Sequence, residues 1–211
     1  ALLLAAMMII TTGLITPAMA AEDDVPETYS NAYVVMDAKT GQVLLQKNMY
    51  EKEYPASITK ILTTALGLTY AKPEDRITVS QETVSDVWKW GETTHLALEP
   101  GEIITLKDAL YGAMVESAND CANAIAQAVS GSLTDFAELM NQQVAALGLS
   151  DTHFTNAHGL PDKDHYTTAY DMARITRWAM TVPGFEEYFC ATEYTIPKTN
   201  KKDVARNIGT H

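Results

Sequence analysis

Cysteine is scarce in this chain: Cys121 and Cys190 are the two among 211 residues. Two thiols make no disulfide framework, and these lie too far apart for a metal-binding cluster. Basic runs are missing as well. Lys and Arg total 15 against 27 Asp and Glu, a formal net charge of −12, and that balance repels phosphate and argues against a nucleic-acid partner. Internal repeats, low-complexity tracts and linker-like stretches are absent, so one globular domain accounts for the mature sequence. What the chain has in quantity is apolar residues, 46% of the total, enough to bury a real core.

One apolar run is long. Residues 1–20, ALLLAAMMIITTGLITPAMA, end in Ala18-Met19-Ala20, the small-x-small pattern of a signal-peptidase site. Gly13 and Pro17 interrupt the run, and polar sequence follows Ala20, which disfavours a spanning helix. The expectation is a signal peptide over 1–20, a start that lacks its initiating Met and basic segment, and an exported domain over 21–211. Export would permit a bridge between Cys121 and Cys190, but the sequence leaves their pairing open.

Hydrophobic periodicity orders the rest. Ala32 to Asp37 and Gln42 to Gln46 read as two strands joined by AKTG, a hairpin in which Gly41 supplies the positive φ of the turn. Ile58, Ile61, Leu62, Ala65 and Leu68 recur at helical spacing, which places Ser57 in the first turn of a helix entered through Pro55. Arg76 to Ser80, Thr94 to Leu98 and Glu102 to Thr105 read as short strands or extended links. Thr105 with Asp108, Ser132 with Asp135, and Thr168 with Asp171 mark three helix starts, and Gly131, Gly148 and Pro183-Gly184 mark stops. A further helix is expected over about Asp120 to Val129, and Glu193 to Ile196 reads as a returning strand. The sum is an α/β (α+β) protein.

Ser57-Ile58-Thr59-Lys60 sets a hydroxyl and an amine three residues apart on one helix face. A serine hydroxyl is a poor nucleophile until a base removes its proton, and a lysine whose pKa is lowered by burial can be that base. The Ser57 N–H, at a helix start, could help hold a developing oxyanion. Four residues of S-x-x-K are a weak signal alone. Ser117-Ala118-Asn119, between two predicted helices, strengthens it: Ser117 could relay a proton to a leaving nitrogen, and the Asn119 amide could hold a substrate carbonyl or steady Lys60. The competing reading is that Ser117 and Asn119 only cap the following helix.

PASITK, then ESANDCANAIAQAVSGS, then LGLSDTHFTNAHGLPDKDHYTTAYDMARI together resemble the D-alanyl-D-alanine carboxypeptidases, low-molecular-mass penicillin-binding proteins of peptidase family S11. The likeness runs from about Asn31 to the end. It implies the penicillin-binding protein and β-lactamase-like fold, a helical cluster with an antiparallel sheet. It also implies Ser57 as acylated nucleophile, Lys60 as proton acceptor, Ser117 as second catalytic serine and Asn119 as a substrate-binding residue. The implied substrate is a peptidoglycan stem peptide ending in D-Ala-D-Ala, β-lactams are the implied inhibitors, and no metal or cofactor is needed. The family's Lys-Thr-Gly motif follows S-x-N, so Lys39-Thr40-Gly41 is a turn, and the family's own triplet is expected past His211. A membrane anchor, common in relatives, would lie there too.

Other residues point elsewhere. His95, His153, His158 and His165 match no metal-site spacing. Asp171 reads as a helix cap, Cys121 as a small buried residue, and Trp88 and Trp90 as part of the core more than of a cleft wall. The alternatives to a carboxypeptidase are a non-catalytic peptidoglycan-binding homologue and a serine β-lactamase. The latter needs a deacylating glutamate, for which Glu138 is the nearest candidate yet reads as helix surface.

Overall fold

The computed structural model describes residues 28–210, so the signal peptide expected over 1–20 lies outside the described residues. The hairpin forms as the pattern requires. Strands β1 (Tyr33–Met36) and β2 (Val43–Lys47) pair antiparallel, with Tyr33 opposite Lys47 and a register shift between Val35 and Met36. Its turn is an Asp37 side-chain turn: Oδ1 accepts from Lys39 N–H at 3.1 Å, Thr40 N–H at 2.7 Å and Thr40 Oγ1 at 2.8 Å. Gly41, at φ +77, closes it by donating to Asp37 O, a backbone region glycine enters without steric cost. Arg177 then clamps the outside, donating to Ala38 O and Lys39 O at 2.9 Å each.

Seven helices lie among the described residues: α1 (Thr59–Tyr70), α2 (Gln81–Trp88), α3 (Leu106–Val115), α4 (Asn119–Ser130), α5 (Leu133–Ala146), α6 (Ala169–Ala179) and α7 (Phe185–Phe189). The three expected starts hold. Thr105 and Asp108 form a reciprocal capping box, and Ser132 and Thr168 accept from the amides of Asp135 and Asp171. Each such cap is worth about 1 kcal/mol. Helices α2 and α7 are not anticipated by periodicity, being eight and five residues long, too short to show a repeating stripe.

Three two-stranded antiparallel sheets complete the frame. The second joins β3 (Arg76–Thr78) to β4 (Ile103–Thr105). In the third, the returning strand β5 (Glu193–Ile196) pairs with β6 (Arg206–Gly209) and not with the hairpin; β6 carries Arg206 and Asn207 and has little strand signal. The segment 94–98 joins no ladder, and Ala97 within it sits at φ +52.

Helix α4 is the central wall. Ala118, Cys121, Ala124 and Ile125 pack with α3 and the β3–β4 pair, and Ala122 and Ala126 pack with Leu62 and Leu66 of α1, Phe136 and Met140 of α5 and Ile175 of α6. Its many alanines let α1 come close: a Cβ at Gly67 would stand 2.9 Å from Ile125 Cγ2. Burying side chains such as Leu62 and Leu66 stabilises by roughly 1.5–3 kcal/mol each. The consequence for function is that the α1 and α4 N-termini meet.

Candidate active site

Chain direction and one strained residue set up the site. Pro55 leads into Ala56, which sits at φ +48, and a single 3₁₀ turn over Ala56–Ile58 runs straight into α1. Ser57 is exposed at this turn, while Lys60, one turn later on the same face, is 2% exposed. The Lys60 Nζ donates to Ser57 Oγ at 3.1 Å, to Asn119 Oδ1 at 2.8 Å and to the His158 carbonyl at 2.8 Å. Three residues distant in sequence thus converge on one amine.

That geometry distinguishes the two protonation states of the lysine. Burial draws the Lys60 ammonium down to about 8, opposed by Cys121 and Asp120 on α4, because a charged amine loses its hydration inside the protein. The His158 carbonyl and Asn119 Oδ1 can only accept. When Lys60 is neutral its two N–H groups satisfy them, and the lone pair is left facing Ser57 Oγ. The site can therefore take a proton from the serine at mildly alkaline pH.

Ser117 and Asn119 lie where α3 passes to α4. Ser117 adopts φ +58, a left-handed conformation that costs a non-glycine residue about 1–3 kcal/mol and recurs at functional sites. The capping alternative fails here: the α4 N-cap is Ala118, which offers no side-chain cap, and Asn119 is the first helical residue with its amide on Lys60. Ser117 makes no hydrogen bond to Ser57, Lys60 or Asn119; the chain alone sets it two residues before Asn119. Asp120, fully buried, accepts from the amides of Leu96 and Leu98 at 3.0 Å each, and Asn119 donates its backbone N–H to Thr94 O. The segment 94–98 is thereby hung alongside the α4 N-terminus.

A loop with no assigned role in the sequence reading closes the floor. Thr63 Oγ1 donates to Ala157 O at 2.7 Å, and Gly159, at φ +90, lies so near Ala56 that a Cβ there would fall 1.8 Å from the Ala56 carbonyl oxygen. Asn156 Oδ1 accepts from the amides of His158 and Gly159. His158 and His165 are both buried, and their tautomers are fixed. His158 Nδ1 accepts from Leu160 N–H, so its Nε2–H donates to Asp86 Oδ2 at 2.9 Å; His165 Nδ1 accepts from Thr155 N–H, so its Nε2–H donates to Thr59 Oγ1 at 2.9 Å. The signal that could have pointed here is the His158-Gly159 pair after Asn156, a turn-forming sequence. For Asp86, on the unforeseen α2, there was none.

The remaining candidates separate cleanly. Among the described residues no group of three or more His, Cys, Asp and Glu could hold a metal ion. Cys121 is buried and Cys190 exposed, both free, and burial drives the Cys121 thiol far above its ordinary pKa. Asp171 accepts from Thr152 Oγ1 at 2.7 Å besides its place in the α6 start. Glu138 is exposed on α5. Trp88 and Trp90 are not core residues: they stand at the end of α2 and just beyond it, 49% and 42% exposed, because Val84 and Val87 take that helix's buried face.

The sequence profile of the D-alanyl-D-alanine carboxypeptidases, Peptidase S11, matches residues 18–209. The D-alanyl-D-alanine carboxypeptidase DacF of Bacillus subtilis is 35% identical over 175 residues, 80% of this chain and 44% of that protein. DacC of Escherichia coli is 36% identical over 170 residues, 75% of this chain and 42% of that protein. Penicillin binding protein 6B of Escherichia coli superposes with a TM-score of 0.78 at 28% identity, covering 90% of this chain and 60% of that structure. The chain spans less than half the length of either of these two carboxypeptidases. The fold is that of the penicillin-binding proteins, and the chain belongs to the D-alanyl-D-alanine carboxypeptidase family, Peptidase S11.

Proposed function

We propose that this protein is a serine-type D-Ala-D-Ala carboxypeptidase that removes the terminal D-alanine of peptidoglycan stem peptides. The observation carrying the proposal is the buried Lys60 amine, held by Asn119 Oδ1 and His158 O and facing the exposed Ser57 hydroxyl. Lys60 takes the Ser57 proton as Oγ bonds to the carbonyl carbon between the two D-alanines. The Ser57 N–H at the helix start assists the oxyanion. The C–N bond then breaks, Ser117 passes a proton to the leaving nitrogen, and free D-alanine departs from an ester on Ser57. Water hydrolyses that ester and regenerates the hydroxyl. Asn119 both steadies Lys60 and orients the substrate's peptide carbonyl.

β-Lactams resemble the D-Ala-D-Ala end in presenting an amide carbonyl to Ser57, and they acylate the same oxygen. The apolar run over 1–20 supports export to the cell envelope, with 21–211 belonging to the catalytic domain; no described helix is long and apolar enough to cross a membrane. The test is intact-mass spectrometry of the full-length protein with benzylpenicillin, alongside Ser57→Ala. A lasting single adduct on the Ser57 peptide, missing from the variant, is expected. An unmodified wild type that leaves the penicillin intact would overturn the reading, and one that hydrolyses it rapidly would make the protein a β-lactamase.

A further inference from the structure

His158 faces two ways. Its backbone carbonyl accepts from Lys60, while its ring, 2% exposed, points away from the lysine toward α2, where Nε2–H meets Asp86 Oδ2 at 2.9 Å. The Leu160 N–H on Nδ1 permits only that tautomer. Asp86 is in turn held by Asn123 Nδ2 at 3.0 Å and by Lys89 Nζ. Hydrogen bonds from His158 above all keep its carboxyl well below the usual carboxylate range, and burial disfavours the imidazolium. An ionised carboxylate therefore grips a neutral ring. Outside this contact lies an open depression of about 410 Å³ whose lining includes Asp86, Lys89, Asn123, Asn156 and Ala157. Asp86 and His158 stand between that depression and the buried amine.

We propose that Asp86 and His158 are a positioning pair: the Asp86 carboxylate fixes the His158 ring, and through it the carbonyl that holds Lys60, sealing the floor of the Ser57–Lys60 site against water from the α2 side. The inference adds to the proposed function a residue on α2 that touches neither serine nor substrate. The charged and titratable groups around the amine are Cys121 and Asp120 on α4 and His158 in the loop, with His165, Asp86 and Lys89 behind His158. Removing the acceptor that Asp86 offers the His158 ring frees the loop, lets water reach Lys60 and returns its titration toward the ordinary lysine value. Neutral amine then becomes rarer at neutral pH.

The test uses the full-length protein with two readouts: the titration of Lys60 followed by carbon-13 NMR of labelled lysine, and the benzylpenicillin acylation rate against pH. Asp86→Ala is expected to raise the Lys60 midpoint by about one pH unit and to slow acylation at pH 7 about tenfold, since one unit is a factor of ten in neutral amine. Asp86→Asn keeps an oxygen for Nε2–H and should stay within about threefold of wild type. Lys89→Ala, which leaves Asp86 its bonds to His158 and Asn123, should change both readouts far less than Asp86→Ala does. His158→Phe keeps the backbone carbonyl and the ring volume but loses Nε2–H; it should move the midpoint as Asp86→Ala does and serves if that variant fails to fold. An unmoved midpoint in either variant, Asp86→Asn as impaired as Asp86→Ala, or Lys89→Ala matching it, overturns the pair. A midpoint that moves in a protein that never acylates would sink the proposed function and leave the pair standing.

Discussion

Two lysines sit in motifs of the same enzyme class, and the fold treats them oppositely. Lys39, in Lys39-Thr40-Gly41, is exposed on a hairpin turn whose bonds run through Asp37 and Arg177. Lys60 is buried among fixed acceptors and drawn down to about 8. The residue type is identical, and desolvation makes the buried Lys60 a candidate base. The same residue serves a turn in one place and a buried site in the other.

The comparison can be broken at five points, beginning with the largest effect. Lys60→Ala should slow acylation by benzylpenicillin by about 10²–10⁴, the usual worth of a positioned base, while Lys39→Ala leaves the rate unchanged; stopped-flow or quenched mass spectrometry reads both. Gly159→Ala should cost about 3–5 kcal/mol in a urea melt, because a left-handed alanine is strained and its Cβ would displace the Ala56 carbonyl just before Ser57. The pH dependence comes third. Below about 8 Lys60 is an ammonium with no lone pair, so acylation should rise about tenfold per pH unit up to that region and then level off. A flat profile from pH 6 to 9 would remove Lys60 as the base.

The smaller effects belong to the turn. Arg177→Ala deletes two partly solvated bonds to the turn carbonyls and should cost about 0.5–1.5 kcal/mol with no change in acylation. Gly41→Ala should cost about 1 kcal/mol, its Cβ meeting the flexible Arg177 guanidinium at 3.3 Å. Equal costs for Gly41→Ala and Gly159→Ala would refute the view that rigidity is concentrated beneath Ser57.

Much of this was legible in the linear order. The hairpin turn, the capped starts at Thr105, Ser132 and Thr168, and the stop at Gly131 are local chemistry, written within four residues of where they act. Ser57 and Lys60 were legible for the same reason, since one helical turn sets their spacing. Helices α2 and α7 were not, because short amphipathic segments owe their form to what they pack against. Trp88 and Trp90, expected in the core, are exposed on the same account, since they stand at the end of α2 and just beyond it.

The sequence by itself determined which side chains could act, the pairing of Ser57 with Lys60 on one face, the juxtaposition of Ser117 and Asn119 at a helix junction, and the family to which those motifs point. Only the tertiary structure decided that Asn119 meets Lys60 across 59 residues and His158 across 98. It also decided that Asp86 stands behind His158 and that the amine beneath Ser57 is buried. Spacing within one turn is fixed by backbone geometry, whereas the pKa of an amine depends on which distant segments exclude water from it, and that follows only when the whole core has packed.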